Sequence, residues 1–283
     1  MKTILVPTDF SPAATNAARY ALQVAKRIHA GIKLCNAIQV PAETVFSAQI
    51  AWPLEDLDSL KEASETELTY LEDSLSADGN TGTGYHPAIA HSTGIGSATD
   101  LVRNLVSDDK ASLVIMGMSG ANLFSKLIVG STTKALIDKA DFPLLLVPKD
   151  YSYKPVKKIA FATNFDDGDI DRLQMLASLA RHFNAEILLT HVVDLPGKDK
   201  EQINAFLNKV TNKIDYPRIY YRGLQSEAVK KGLKWLTDNG QLDILAITHL
   251  KHGLFSPSIT QRLAEHTKVP LLVFPEGFKP CVF

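Results

Sequence analysis

The chain has 283 residues, about twice the commonest domain size, which favours two domains over one. It carries 30 Lys and Arg residues against 31 Asp and Glu residues, and this near-neutral balance excludes the strong positive charge of a dedicated nucleic-acid-binding protein. The sequence has no apolar run near ~18 residues, no secretion signal and only two cysteines, so we expect a cytoplasmic protein without a membrane partner, a disulfide framework or a cysteine-bound metal cluster.

Apolar spacing predicts alternating strands and helices in the first half of the chain. Ser11 followed by Pro12 is typical of a helix start, and Ala14, Ala17 and Ala21 continue it with a stripe of small residues suited to close packing. The predicted elements are strand Ile4–Pro7, a helix from Pro12 that ends at Gly31, strand Ile32–Ile38, a helix through Leu57–Leu75, strand Ala88–His91, helix Ser97–Val106, strand Leu113–Met116, helix Ser131–Ala140 and strand Leu144–Val147.

The second half of the chain repeats the first. The matching segments are 2–10 (KTILVPTDF) with 157–165 (KKIAFATNF), 30–38 (AGIKLCNAI) with 185–193 (AEILLTHVV), and 142–148 (FPLLLVP) with 269–275 (VPLLVFP). Strands are accordingly expected near Ile159, Ile187, Ile219, Ile244 and Leu271. A repeat of this length indicates a duplicated domain, so we predict domains at 1–149 and 150–283.

Strands separated by helices need crossover connections, which predicts an α/β fold of two tandem doubly wound domains. Each has a parallel sheet with helices on both faces. Such sheets bind ligands beyond the carboxyl ends of their strands. Residues that bind a ligand are therefore expected at the strand ends.

A glycine motif follows the fourth strand of the first domain. It consists of Gly117-Met118-Ser119-Gly120, nine further residues and Gly130-Ser131-Thr132-Thr133. Glycines at 117 and 120 let the backbone approach a ligand and adopt positive φ, and amides and hydroxyls at a helix start bind phosphate. The alternative is that the glycines only shape a turn and Ser131 only caps a helix.

The first strand ends in Pro7-Thr8-Asp9. A carboxylate here is suited to accept hydrogen bonds from ribose hydroxyls or to hold a divalent ion beside phosphate. The alternative for Asp9 is a turn residue ahead of the Ser11 cap.

These residues resemble the universal stress protein family. The resemblance rests on V-P-T-D-F-S at the start and on V-I-M-G-M-S-G followed, nine residues later, by G-S-T-T. It covers the chain as two tandem family domains and is more specific in the first. The resemblance implies five parallel strands in the order 3-2-1-4-5 and a site for ATP with Mg²⁺.

The resemblance also implies roles for individual residues. Pro7, Thr8 and Asp9 would line the adenosine side, and Ala37 would contact adenine. The residues implied to follow the ribose and phosphates are Met116, Gly117, Met118, Gly120, Gly130, Ser131, Thr132 and Thr133. Ser119 stands where many members carry His or Arg, and Lys126 is either a substitute cation or a solvated loop lysine.

The second domain lacks the glycine motif. The replacements are Gly117 by Thr248, Gly130 by Pro257, Asp9 by Asn164 and Pro7 by Ala162. We therefore expect no ATP in this domain. Its His191, His249 and His252 form a weak zinc or anion candidate, but capping or surface roles are favoured and we predict no metal site.

Three functions follow from these patterns. The leading one is an ATP-binding stress protein that is regulatory and at most a slow ATPase, because no base and no arginine accompany the motif. The second is an adenine-nucleotide enzyme such as an adenylyl transferase or an ATP pyrophosphatase, although the His-x-Gly-His and Ser-Gly-Gly-x-Asp-Ser signatures of those families are missing after strand one. The third is a tandem structural protein without nucleotide. The resemblance implies an internal pseudo-dimer through the last strands of the two domains; a further homodimer stays open.

Overall fold

A computed structural model describes residues 2–39, 54–79, 84–109, 111–118, 130–193, 200–250 and 257–277. Strands and helices alternate along this part of the chain, as predicted. The first repeat contains β1 (Thr3–Pro7), α1 (Pro12–Ile28), β2 (Gly31–Ile38), α2 (Leu54–Gly79), β3 (Ile89–Ile95), α3 (Ala98–Asp109), β4 (Leu113–Met118), α4 (Ser131–Lys139) and β5 (Leu144–Pro148). The second contains β6 (Lys158–Ala162), α5 (Gly168–Phe183), β7 (Glu186–Val193), α6 (Lys200–Lys213), β8 (Ile219–Gln225), α7 (Val229–Asn239), β9 (Ile244–His249), α8 (Pro257–His266) and β10 (Leu271–Pro275).

Internal contacts divide the chain into two compact units, 1–117 and 118–283. In the first unit the strands are parallel and follow the order β3-β2-β1-β4. In the second unit the order is β5-β10-β9-β6-β7-β8, and its strands are parallel except that β5 runs antiparallel to β10. The stretch β8-β7-β6-β9-β10 reproduces the predicted order 3-2-1-4-5 in the second repeat.

Helix α1 shows why these segments become helices. The Ser11 hydroxyl accepts a hydrogen bond from the Ala14 amide at 3.2 Å, and Pro12 occupies the first turn, as the sequence predicts. The helix ends at His29, which has a φ of 55° and donates its amide to the Ala25 carbonyl. Its inward face is a run of buried small residues, so α1 lies close to the sheet.

The core of each unit lies between the sheet and its helices. Ile4, Leu5 and Val6 of β1 have no exposed surface, nor do Ile159 and Phe161 of β6. Strands buried on both faces are typical of parallel sheets covered by helices. None of the helices in the described ranges is both long and apolar enough to cross a membrane.

The segment that precedes β6 is held by Asp243, a buried carboxylate just before β9. Its Oδ2 accepts hydrogen bonds from the amides of Lys157 at 2.7 Å and Lys158 at 2.9 Å, and its Oδ1 pairs with Lys154 Nζ at 3.1 Å. The Tyr151 hydroxyl donates to the Asp243 carbonyl at 3.4 Å; burial, helped by the Asp243 charge, raises the pKa of Tyr151. One carboxylate thus positions the start of the second repeat.

We predict that Asp243→Asn lowers the free energy of unfolding by about 1.5–3 kcal/mol, because the neutral amide loses the charge that strengthens two backbone hydrogen bonds and pairs with Lys154. Urea denaturation measures this loss. Asp150→Asn, at an exposed position in the same segment, serves as the control and should unfold like the parent protein. Equal midpoints for both variants would contradict the role of Asp243.

Candidate functional site

The turn after β1 is fixed by Thr8, which is buried. Its amide donates to the Cys35 carbonyl at 2.8 Å, and its hydroxyl accepts from the Phe10 amide at 3.0 Å, with Phe10 at a φ of 60°. Asn36 Nδ2 donates to the Thr8 carbonyl at 2.8 Å and is itself held by Ser64, whose hydroxyl donates to Asn36 Oδ1 at 2.9 Å. The carboxyl ends of β1 and β2 are therefore tied together.

Three predicted adenosine-side residues lie at these strand ends. Pro7 is buried, Ala37 is half-buried, and Asp9 is exposed. Asp9 Oδ1 accepts a hydrogen bond from the Ser11 amide at 3.1 Å, which is the turn role considered above. That bond leaves the carboxylate at the surface, where a ribose or a cation has access to it.

Gly117, near the end of β4, is required for a reason that sequence reasoning missed. A Cβ added there would lie 2.3 Å from the Ala13 carbonyl oxygen and 2.8 Å from the Ala14 amide nitrogen, so the start of α1 rests directly on β4. The expectation of a positive φ at Gly117 is wrong, since the described glycines with positive φ are Gly84 and Gly96. The backbone that Gly117 admits is that of α1.

The remaining motif residues are described in part. Met116 and Met118 are buried around Gly117, whereas Ser119, Gly120 and Lys126 lie outside the described residues. In the second unit, Gly130 precedes α4 with a φ of −53° and no side-chain cap, and a Cβ added to it would meet nothing within 4 Å. The three hydroxyl residues that follow differ in exposure: Ser131 is exposed, Thr132 is half-buried and Thr133 is buried.

The second repeat contains a buried ion pair that sequence reasoning missed. Asp169 and Arg172, on the first turns of α5, are only 2% and 5% exposed, and Arg172 Nη1 lies 3.3 Å from Asp169 Oδ1. The Thr163 hydroxyl donates to Asp169 Oδ2 at 2.6 Å and the Thr248 hydroxyl donates to Oδ1 at 3.1 Å. The pair therefore bridges the ends of β6 and β9.

Both charges are embedded in protein. Arg172 Nη2 donates to the Glu276 carbonyl at 2.7 Å, while its Nε is buried without a hydrogen-bond partner. Burial raises the pKa of the Asp169 carboxyl, opposed by the Thr163 hydrogen bond and the Arg172 charge. The matching of residues 2–10 with 157–165 aligns Asp169 with Ala14 and Arg172 with Ala17. Two charged residues at positions that are small and inward-facing in the first repeat were the sequence feature that could have predicted this ion pair.

The histidine candidates do not gather into a described metal site. His191 Nδ1 lies 2.7 Å from the Thr163 carbonyl and so donates to it, and the ring packs on Phe165 at 4.5 Å. His249 is buried, with Nε2 3.6 Å from Asp138 Oδ1; burial lowers its pKa, opposed by the Asp138 charge. His252 lies outside the described residues, and within the described ranges no group of three or more His, Cys, Asp or Glu residues is arranged to hold a metal ion.

Comparison with known proteins places universal stress proteins among the matches to this chain. The model of the universal stress protein family matches residues 1–148. The universal stress protein MJ0531 of Methanocaldococcus jannaschii is 24% identical over 156 residues, which cover 52% of this chain and 82% of that protein.

Several solved structures match nearly the whole chain. A universal stress protein from Archaeoglobus fulgidus DSM 4304 has a TM-score of 0.72 at 16% identity and covers 97% of this chain and 98% of its own. A protein of Pseudomonas aeruginosa UCBPP-PA14 assigned to the same family has a TM-score of 0.61 at 12% identity and covers 98% and 94%. At these identities the two structures show a common fold, and the fold alone.

We predict that Gly117→Ala destabilises the protein by about 1–3 kcal/mol, because the new methyl group would overlap the backbone of α1. Gly130→Ala is the matched control, since its methyl group would enter open space at a φ that alanine adopts readily; we expect a change within about 0.5 kcal/mol. Urea denaturation compares the two variants. Equal stability would show that α1 does not rest on Gly117.

For the ion pair, we predict that Asp169→Ala costs about 3–5 kcal/mol of unfolding free energy, because it leaves the Arg172 charge buried without a partner. The double variant Asp169→Ala/Arg172→Ala restores the alanines found at Ala14 and Ala17 and should be more stable than the single variant. Asp171→Ala, at an exposed position on the same helix, controls for loss of a helix-start charge. A double variant less stable than the single one would contradict this account of the pair.

Proposed function

The chain belongs to the universal stress protein family, and we propose that it is a cytoplasmic stress-response protein that binds ATP with Mg²⁺ through its first repeat. Nucleotide occupancy would regulate how the protein meets its partners. The observation that carries the proposal is the contrast between the two repeats: small residues stand in the first where a buried ion pair stands in the second.

The first repeat supports the proposal through its chemistry. Asp9 presents an exposed carboxylate at the end of β1, suited to ribose hydroxyls or to Mg²⁺. Gly130 leaves open space at the start of a helix, where amides and the helix dipole favour anions. We assign the adenosine side to Pro7, Thr8, Asp9 and Ala37, and the sugar and phosphate contacts to Met116, Gly117, Met118, Gly120 and the segment 130–133, following the family's sequence motif.

The second repeat supports one nucleotide per chain. The Thr163 hydroxyl, which matches that of Thr8, is used by Asp169. Thr248 replaces Gly117 and also binds Asp169. The buried Asp169–Arg172 pair also places two large side chains at this strand end, where the first repeat carries alanines.

The proposal assigns hydrolysis a minor part. The stretch from Met116 to Thr133 carries Lys126 as its one charged residue, so it offers neither a carboxylate base nor an arginine for the charge that develops on a transferred phosphoryl group. Binding without rapid turnover suits a regulator whose state follows nucleotide supply.

We also propose that the two repeats associate through their last strands as an internal pseudo-dimer. In support, β5 and β10 pair antiparallel, with Leu145 opposite Leu272. Helices α4 and α8 add a Lys134–Glu265 ion pair of 3.9 Å and a hydrogen bond of 3.3 Å from Gln261 Nε2 to Asp138. Ion pairs of this exposure contribute little energy, so the apolar strand pairing dominates.

Calorimetric titration of the full chain with MgATP tests the proposal. We predict one site per chain and at least about tenfold weaker binding in Gly130→Val, because the side chain would enter the space assigned to phosphate. Gly130 is chosen over Gly117 because a variant at 117 disturbs the fold by itself. Gly277→Val is the matched control: a Cβ there also meets nothing within 4 Å, and this variant should bind like the parent protein.

Thermal unfolding gives a second readout, since a ligand at ~100 times its Kd stabilises the native state by about 2.7 kcal/mol. If millimolar MgATP produced no heat in the titration and no shift in Tm, nucleotide binding would be contradicted and a structural protein would be favoured. Two sites per chain would contradict the restriction to the first repeat. Rapid transfer of an adenylyl group to a second substrate would replace the regulatory function by an enzymatic one.

A further inference from the structure

A cleft in the second repeat lies far along the chain from the residues proposed for ATP. It opens between the carboxyl end of β8 and the first turns of α7 and has a volume of about 380 Å³. Its walls include Arg222 and Leu224 of β8, Ser226 of the turn, and Lys231 and Trp235 of α7. Cavities of this size are typical of sites for small molecules.

Gly232, which lines the cleft, lets α7 lie close to β7. A Cβ at this position would lie 3.0 Å from Val192 Cγ2 and 3.3 Å from the Ser226 side chain, so the bare backbone brings α7 against β7. Helix α7 begins beside the end of β8, and its first residue follows Ala228, which offers no side-chain cap to the helix amides. The helix start adds partial positive charge to the cleft.

Trp235 forms an aromatic wall that is 49% exposed. The Arg222 guanidinium lies 5.8 Å from the centre of its ring. Most tryptophans in proteins are largely buried. The half-exposed indole ring of Trp235 beside the cleft therefore offers a flat apolar surface to a ring of a ligand.

The two cations give the cleft its charge. Lys231 pairs with Glu227 at 3.1 Å, an exposed pair that water and salt screen and that a ligand can displace. Arg222 is exposed, and its guanidinium lies over the ring of Trp235. Two full charges and a helix start suit a doubly charged anion better than a single carboxylate.

We propose that this cleft binds a phosphate monoester that carries a planar ring. The phosphate lies between Arg222 and Lys231 beside the start of α7, and the ring lies against Trp235. The site does not depend on the ATP proposal, because it uses none of the residues assigned there.

The test uses the full chain carrying Trp52→Phe, which leaves Trp235 as the single tryptophan. Phenyl phosphate is titrated while Trp235 fluorescence is recorded. We expect a saturable change with a Kd of about 1 mM or tighter, and at least tenfold weaker binding in Arg222→Gln and in Lys231→Gln. The matched control is Lys234→Gln, one turn along α7 and paired with Asp238, which should bind like the parent.

Two further probes separate the parts of the ligand. Benzoate keeps the ring but carries one charge, and inorganic phosphate keeps the charge but has no ring; both should bind at least about fivefold more weakly than phenyl phosphate. Absence of saturation, an unchanged Kd in Arg222→Gln, or equal binding of all three probes would overturn the proposal. MgATP binding by the same variants would be unaffected in each case, which keeps the two proposals apart.

Discussion

Each repeat depends on the contact between its first helix and the carboxyl end of its sheet, and the two repeats make this contact with different residues. In the first repeat a glycine on β4 meets the backbone of α1, and the following helix positions carry alanine. In the second repeat the corresponding positions carry Thr248, Asp169 and Arg172, which form a hydrogen-bonded and ion-paired group inside the protein. The second repeat therefore places side chains where the first repeat brings the helix and strand backbones into contact.

Duplication has preserved the turn that supports this contact. Thr8 and Thr163 each accept a hydrogen bond from the amide two residues on, and Phe10 and Phe165 both adopt positive φ. The threonine carbonyl accepts from Asn36 in one repeat and from His191 in the other, so one geometric requirement is met by two different side chains. His191, on β7, thus holds the turn that follows β6.

The fold followed from the sequence because burial leaves a periodic signal. Apolar spacing, the Ser11 cap and the alternation of strands and helices predicted the elements. The predicted third strand ended at His91, whereas β3 extends to Ile95. The added residues are mostly polar and only partly buried, so they leave no apolar pattern. The candidate site was less accessible. The role of Gly117 depends on how close α1 lies to β4. The Asp169–Arg172 pair depends on hydrogen-bond partners that are distant along the chain. The spacing of apolar residues gives no information on either contact.

The antiparallel pairing of β5 with β10 has a consequence for how the protein responds to its own abundance. A single-repeat protein that completed its sheet edge in this way would need to meet a second copy, and the extent of pairing would vary with expression level. A tether turns such an encounter into an intramolecular event with a high effective concentration. The duplicated chain thus keeps β5 and β10 paired even when few molecules are present. Because each repeat always meets the same partner, the two repeats are free to diverge in sequence.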